Sequence, residues 1–169
     1  MPQTVLVTGA TGYIAKHLVL QLLNDGYHVV ASARRSDGEA EIKKALRPHL
    51  KRPSFLDHLR VVSLDLNHDD DWQSAMHGVD AVFHTASPVP LVQPKNDQDV
   101  IRPAVDGALR AVRAARAAGV VIYTFGTAAG QDYDLWARLI GRHITRYIPG
   151  QPSLIVENMP GAGHIVATN

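Results

Sequence analysis

The stretch from Thr4 to Leu18, TVLVTGATGYIAKHL, constrains the fold more than any other part of the chain. Its apolar run, Val5-Leu6-Val7, is typical of a strand buried on both faces of a parallel sheet. The turn Gly9-Ala10-Thr11-Gly12 follows, and an apolar helical pattern begins at Tyr13. This order builds a phosphate site, because free N–H groups and the positive end of the helix dipole converge at the first helical turn. We predict a dinucleotide site here; a purely structural turn is the alternative.

The two glycines have separate roles in this prediction. Gly9 permits the sharp turn, and Gly12 lets a pyrophosphate approach the backbone. Ala15 stands where a third glycine is usual and is small enough for close packing of helix on strand. A glycine pattern alone is a weak signal, but its position at the start of a βαβ-like segment supports the prediction.

Strands and helices alternate along the rest of the chain, which predicts an α/β fold. We expect one three-layer Rossmann-like domain over residues 1–169, a doubly wound parallel sheet of six strands in the order 3-2-1-4-5-6. The predicted strands are 5–7, 28–33, 60–64, 80–86, 120–124 and 153–156, and the predicted helices are 12–24, 38–50, one from about 72, 99–118 and 132–147.

Three helices carry specific expectations. Ile14, Leu18 and Leu22 should form the apolar stripe of the first helix, which Asn24-Asp25-Gly26 should end. Asp69 or Asp70 should cap the helix that contains Trp72, a core anchor. In the long helix, Val105, Leu109 and Val112 fall on one face, and many alanines allow close approach to the sheet.

Arg34 and Arg35 come directly after the second predicted strand, where this fold places the adenosine ribose. An acidic residue there would accept hydrogen bonds from a free 2′-hydroxyl, whereas guanidinium groups suit a 2′-phosphate. We therefore predict NADP rather than NAD as the cofactor. The alternative is that both arginines are solvated loop charges.

The ends of the third and fourth strands also point to the cofactor. Asp65 could accept from the adenine amino group, or it could cap a turn with its own backbone. The end of the fourth strand, which leads into Ser87, should lie beside the glycine turn, where a nicotinamide ribose would rest. His84 near that end could act on a substrate, but we favour a packed histidine.

Composition excludes several classes of function. The 169 residues carry 17 basic and 16 acidic side chains, so nothing calls for nucleic acid or an anionic membrane. Cysteine is absent, and the nine histidines show no metal-ligand spacing, so we expect no metal site. No apolar run is long enough for a transmembrane helix, and we expect no signal peptide and a cytoplasmic protein.

Residues 3–119 resemble the extended short-chain dehydrogenase/reductase family, in particular the NADP-dependent dihydroflavonol reductases. The matching motifs are Thr8 to Ala15, Ser32-Ala33-Arg34, Asp65-Leu66 and Val82 to Pro88. The resemblance implies that the pyrophosphate lies on the glycine turn and first helical turn, the 2′-phosphate on Arg34, the adenine on Asp65 and Leu66, and the nicotinamide side on the end of the fourth strand. The implied cofactor-binding residues are Gly9, Thr11, Gly12, Tyr13, Ile14, Arg34, Asp65, Leu66, Thr85, Ala86 and Ser87.

The family's catalytic pair is a tyrosine with a lysine four residues on, where the lysine lowers the phenol pKa for proton transfer. Here the residues four beyond each tyrosine are His17, Ala31, Thr127, Ala137 and Gln151, none of them lysine. We also expect this chain to lack a substrate domain. We therefore predict no catalytic residue and lean against an enzyme.

Residues 121–169 resemble a different family, the periplasmic solute receptors of tripartite tricarboxylate transporters. The motifs are Phe125 to Gly130, Tyr133 to Ile140, Ile148 to Pro152 and Val156 to Gly163. The resemblance implies that Thr127 to Gln131 would hold a ligand's carboxylate, as an anion at a helix start. Two half-patterns that meet near residue 120 are typical of an engineered chimera.

Three functions compete. The first is a chimeric Rossmann-like protein that keeps an NADP(H) half-site without catalysis. The second is an active NADP-dependent aldehyde or ketone reductase, with Tyr123 or Tyr133 as the acid. The third is a small-carboxylate-binding module. We expect that a homodimer could form. In each parent family, parts absent from this chain would cover surfaces that are exposed here.

Overall fold

The computed structural model describes residues 3–87, 96 and 98–123 of the chain. Residue contacts group Met1–Tyr123 into one compact unit. The strand 153–156, the helix 132–147 and the carboxylate loop 127–131 lie outside the described residues. The single domain over residues 1–169 stays a prediction.

Strands and helices alternate as the apolar periodicity predicts. The strands are β1 (Thr4–Thr8), β2 (His28–Ala33), β3 (Leu59–Ser63), β4 (Ala81–His84) and β5 (Val121–Tyr123). The helices are α1 (Tyr13–Asn24), α2 (Gly38–Leu46), α3 (Trp72–Met76) and α4 (Gln98–Ala118). Two 3-10 helices, Arg47–His49 and Pro53–His58, connect α2 to β3.

The five described strands form one parallel sheet in the order β3-β2-β1-β4-β5. This confirms the predicted fold class and the predicted order of the first five strands. The direction of chain progression reverses between β3 and β4, so β1 and β4 are neighbours and their carboxyl ends form the crevice where such sheets bind ligands. Thr8 at the end of β1 pairs with His84 at the end of β4.

The core lies on both faces of the sheet. Helix α1 contacts α2, and α3 contacts α4, as expected when the crossovers reverse direction. On the α3–α4 face, a buried cluster contains Leu6, Leu64, Trp72, Val82 and Ala111, among others. Trp72 is 4% exposed, which confirms it as a core anchor.

The buried stripe of α1 differs from the predicted one. Its buried residues are Ala15, Leu18, Val19, Leu22 and Leu23, whereas Ile14 is 59% exposed. Ile14 lies in the first turn, next to the glycine turn rather than against the sheet. The helix ends at Asn24, and Gly26 follows with a φ of +88°, as the predicted stop requires.

The alanines of α4 approach the sheet closely, as predicted, but the predicted apolar face of Val105, Leu109 and Val112 is not the buried one. Ala111 and Ala115 are buried against the core cluster, whereas Val105 is 49% exposed. A Cβ on Gly107 would lie 3.2 Å from the Cβ of Leu66. Small residues therefore face inward because α4 approaches its neighbours closely, and the larger aliphatic side chains do not define the contact.

Two helix ends shift for local reasons. The cap of α3 is Asp71, with a φ of +66° and no side-chain cap bond, so neither Asp69 nor Asp70 is the cap. Helix α2 ends at Leu46 instead of residue 50, because Pro48 cannot donate a helical hydrogen bond and the chain turns into a 3-10 helix. No helix in the described part of the chain is both long enough and apolar enough to cross a bilayer.

Candidate functional site

A cavity of about 580 Å³ lies at the carboxyl ends of β1 to β4. Nine of the eleven residues predicted to bind a cofactor line it: Gly9, Thr11, Gly12, Arg34, Asp65, Leu66, Thr85, Ala86 and Ser87. The other two, Tyr13 and Ile14, form the exposed first turn of α1 and do not line the cavity. Ser32, Arg35, Leu64, Asn67, Asp99 and Pro103 complete the wall.

The glycine turn brings β1 and β4 into close contact. Gly9 has a φ of +67°, and a Cβ there would lie 2.9 Å from the Cβ and 3.0 Å from the Cα of Ala86. Only glycine combines that backbone conformation with that approach. A Cβ on Gly12 would lie 3.1 Å from the carbonyl oxygen of Gly9.

The first turn of α1 presents unused donors. Gly12 caps the helix without a side-chain hydrogen bond, and no acidic residue occurs in the first turn. The first helical hydrogen bond runs from the amide of Lys16 to the carbonyl oxygen of the cap residue Gly12, at 3.0 Å. The N–H groups of Tyr13, Ile14 and Ala15 therefore have no acceptor within the described part of the chain. Together with the helix dipole they favour an anion.

Ser32 holds the glycine turn against β2. The amide of Gly9 donates to its hydroxyl oxygen at 3.1 Å, and the amide of Ala10 donates to its carbonyl oxygen at 2.8 Å. Ser32 is 3% exposed. Ser32 belongs to a family motif but is not among the predicted site residues, since a serine inside a strand does not by itself indicate that it will hold a turn.

Thr8 joins the ends of β1 and β4. Its hydroxyl oxygen accepts from the amides of Thr85 at 3.1 Å and Ala86 at 3.2 Å. The same oxygen lies 2.9 Å from Nδ1 of His84, so its own hydrogen is donated to that nitrogen. The hydroxyl of Thr85 donates back to the carbonyl of Thr8 at 2.5 Å. Thr8 was also missed, because its role depends on a strand 76 residues away.

His84 is a neutral, packed histidine. Burial lowers its pKa from 6.5 to about 4, because the charged ring loses hydration. With Nδ1 accepting from Thr8, the ring proton is on Nε2. The geometry agrees with the packed histidine favoured by the sequence rather than with a group that acts on a substrate.

The two arginines after β2 have different environments. Arg35 pairs with Asp37 at 2.9 Å and with Glu41 at 2.8 Å, and Lys16 pairs with Glu41 at 2.6 Å. Arg34 is exposed, lines the cavity and forms no ion pair with any residue that the structure describes. Of the two guanidinium groups, that of Arg34 is thus the uncommitted one.

The opposite wall of the cavity is a turn held by α4. The Oδ1 atom of Asp65 accepts from the amide of Asn67 at 2.9 Å and from its side-chain nitrogen at 3.1 Å, so the alternative role of Asp65 in capping a turn is realised. Arg110 donates to the carbonyl of Leu66 at 3.0 Å and to Asp69 at 2.6 Å. These bonds fix the wall formed by Asp65, Leu66 and Asn67.

A larger cavity of about 720 Å³ lies between α3 and α4. Trp72, Met76 and Ala114 contribute apolar atoms to it, and the Arg110 guanidinium at its edge is already bonded. It contains neither the glycine turn nor the open helix end, so the smaller cavity is the better candidate for an anionic ligand. Among the described residues, no group of three His, Asp or Glu side chains could hold a metal ion.

The profile of the NAD-dependent epimerase/dehydratase family matches residues 5–132. The chain belongs to this family. The match contains every described strand and helix except the first residue of β1, together with the whole cavity.

This chain is similar to several curated reductases. It is 36% identical over 113 residues to tetraketide alpha-pyrone reductase 1 of Arabidopsis thaliana, covering 66% of this chain and 33% of the relative. It is 36% identical over 117 residues to dihydroflavonol 4-reductase of Hordeum vulgare, covering 69% and 32%. The chain spans about one third of the length of these curated relatives.

A solved structure shares the fold. Gre2 of Candida albicans in complex with NADPH superimposes with a TM-score of 0.61 at 25% identity, over 75% of this chain and 37% of that one. This resemblance places the five described strands in the Rossmann class of dinucleotide-binding folds.

The second resemblance has no support here. The family match continues past residue 120, the position of the predicted junction, and none of the proteins named above is a solute receptor. These comparisons support the dehydrogenase/reductase resemblance and do not support an engineered chimera.

Proposed function

We propose that this family member binds NADP(H) in the cavity at the carboxyl ends of β1 to β4 and serves as the cofactor-binding part of a carbonyl reductase. The observation that carries the proposal is that one cavity holds an uncommitted guanidinium, Arg34, beside a glycine turn and an open helix N-terminus. Two anionic groups of one ligand, a pyrophosphate and a 2′-phosphate, match these two features.

The phosphate end of the site supports this fit. A pyrophosphate would rest on the glycine turn, with Gly9, Thr11 and Gly12 below it and the amides of Tyr13 and Ile14 directed at it. Glycine at position 12 supports this fit, because an added Cβ would lie 3.1 Å from the carbonyl oxygen of Gly9 and would narrow the turn beside these amides. The absence of an acid in the first turn leaves the positive end of the helix dipole unopposed.

The remaining residues divide along the ligand. Arg34 would hold the 2′-phosphate, and Asp65 and Leu66 would contact the adenine. Thr85, Ala86 and Ser87 would flank the nicotinamide side, on the backbone that Thr8 fixes. NADPH supplies a hydride when bound, and these side chains bind and orient it.

The choice of reductase over epimerase follows the relatives. The two curated relatives described above carry reductase names, and the Candida albicans protein is described with NADPH. The catalytic pair expected of the family is missing from the sequence, so a chain that binds NADP(H) without turnover is the second candidate. No described residue favours the third candidate, a carboxylate-binding module.

Fluorescence titration of NADPH with the purified protein tests the proposal. We expect saturable binding that is competed by NADP⁺. A second assay follows NADPH oxidation with an aldehyde or ketone. Saturable binding supports the cofactor-binding role, turnover in addition supports a reductase, and absence of binding at millimolar NADPH contradicts the proposed function.

A further inference from the structure

Glu41 joins two basic side chains at the rim of the cofactor cavity. One carboxylate oxygen lies 2.6 Å from Nζ of Lys16 on α1, and the other lies 2.8 Å from Nη2 of Arg35. Glu41 is on the first turn of α2, directly after the loop that carries Arg34 and Arg35. The carboxylate therefore connects α1 with α2, the helices that precede and follow β2 in the sequence.

The hydrogen bonds of Arg35 are largely committed to acids. Its Nε donates to Oδ1 of Asp37 at 2.9 Å, and its Nη2 lies 3.3 Å from Oδ2 of Asp37 as well as 2.8 Å from Glu41. Arg35 nevertheless lines the cavity, as Arg34 does. A phosphate that approached Arg35 would have to compete with two carboxylates for the same donors.

The net charge of the side chains around Arg35 also indicates that this arginine is not available to a ligand. Arg35 and Lys16 supply two positive charges, and Asp37 and Glu41 supply two negative charges, so this group of four is neutral. Arg34 is outside the group and keeps its full charge. The rim therefore presents to a ligand the positive charge of one arginine, although two arginines are present.

We propose that Glu41 is a specificity-determining residue: its carboxylate withholds Arg35 from a 2′-phosphate, so that Arg34 alone distinguishes NADP(H) from NAD(H). This inference rests on the proposed function. It implies that the preference for NADPH is lower than two adjacent arginines could provide, and that removal of one negative charge raises it.

The test measures dissociation constants of NADPH and NADH for the full chain and for Glu41→Gln. We expect Glu41→Gln to bind NADPH about threefold to tenfold more tightly, the range expected when an exposed ion pair is exchanged for a phosphate contact. NADH binding should stay within about twofold, because NADH has no 2′-phosphate. Glu41→Ala provides a second variant without the carboxylate, and the same gain is expected.

Glu39→Gln is the matched control. Glu39 is also in the first turn of α2, and its partner Lys43, at 2.5 Å, does not line the cavity. This variant changes the net charge by the same amount as Glu41→Gln and also removes an acid from the first turn of α2, but it frees no rim arginine. Its ratio of NADPH to NADH affinity should match that of the unmodified protein.

Arg35→Ala separates the released arginine from a general charge effect. Alone it should change the NADPH to NADH ratio by less than about twofold, since a committed arginine contributes little. In Arg35→Ala/Glu41→Gln the gain should disappear. If it persisted, Lys16 or the overall charge would be responsible, and the role assigned to Arg35 would be wrong.

The outcomes separate the two proposals. If the unmodified chain bound neither nucleotide, the proposed function would fail and this inference with it. If the unmodified chain bound NADPH but Glu41→Gln and Glu41→Ala left the ratio unchanged or lowered it, only the role of Glu41 would be overturned. An equal gain in Glu39→Gln would overturn it as well.

Discussion

The two ends of the candidate cofactor cavity are held by different kinds of interaction. At the β1–β4 end, uncharged groups with little solvent exposure meet: Thr8 is fully buried, and Gly9 lies against Ala86. At the β2–α2 end, Arg34 and Arg35 are exposed and the contacts are ion pairs. The first end is shaped by packing and backbone hydrogen bonds, and the second by charge.

This difference separates two parts of recognition. The hydrogen bonds at the β1–β4 end are part-buried and centre on the fully buried Thr8, so breaking them carries a penalty. We therefore expect this end to keep one shape and to define which class of ligand can enter. Exposed ion pairs contribute about 0–1 kcal/mol each, so the β2–α2 end can change its selectivity at little cost in stability. Substitutions at the first end should therefore affect folding, whereas those at the second should affect the choice of nucleotide.

The largest expected effect is at Gly9. Gly9→Ala should lower the free energy of unfolding by about 2–5 kcal/mol, the sum of a left-handed backbone penalty and a clash with Ala86. Gly26→Ala is the control, since Gly26 also has a positive φ, +88°, but no atom lies within 4 Å of its added Cβ. Urea denaturation measures both. Equal losses in the two variants would show that the close approach to Ala86 contributes nothing.

The next effect concerns the pH dependence of stability. The folded pKa of His84, about 4, lies below its ordinary value of 6.5, so the unfolded chain takes up more protons between these values. Stability should be fully present above pH 6.5 and should fall by up to about 3 kcal/mol as the pH drops through 4. His84→Asn keeps an acceptor near Thr8 but does not titrate, and should remove this part of the fall. Identical pH profiles for the two proteins would contradict the assignment of His84 as a neutral, packed histidine.

Thr8→Val should cost about 1–3 kcal/mol of unfolding free energy, because the amides of Thr85 and Ala86 lose their acceptor while the volume stays nearly constant. Thr8→Ser retains the hydroxyl and should lose less. Denaturation curves compare the two variants. A serine variant as unstable as the valine variant would mean that the methyl group, rather than the hydroxyl, holds the two strand ends together.

The smallest expected change in free energy is at Arg34, and it should affect one nucleotide and not the other. Arg34→Ala should weaken NADPH by about tenfold, which is about 1.4 kcal/mol, and leave NADH nearly unchanged. Its unfolding free energy should stay within about 0.5 kcal/mol of the unmodified value, as for other exposed surface positions. Titration with both nucleotides is the measurement. Equal losses of affinity for NADPH and NADH would show that Arg34 does not bind the 2′-phosphate.

Much of the fold follows from local patterns. Apolar strands at regular intervals and the glycine turn at residue 9 predict a parallel sheet with the observed order, because right-handed crossovers leave few alternatives. Most of the predicted site residues also reach one cavity, since they follow strands whose carboxyl ends share an edge of the sheet. These features depend on residues close together in the sequence.

The remaining features depend on contacts between distant segments. The bond between Thr8 and His84 spans 76 residues, and that between Arg110 and Leu66 spans 44. The commitment of Arg35 to Glu41 requires the particular path of the loop before α2, which the arginine pair alone does not indicate. The alanines of α4 indicated close approach to the sheet, but the contact of Gly107 with Leu66, and the exposure of Val105, depend on segments far apart in the sequence.

A crystal structure of the protein with NADP⁺ tests the central claim most directly. We expect density for the pyrophosphate above Gly9 to Tyr13 and for the 2′-phosphate within hydrogen-bond distance of the Arg34 guanidinium. Nucleotide density at another place on the sheet, or a 2′-phosphate directed into solvent with Arg34 unengaged, would contradict it.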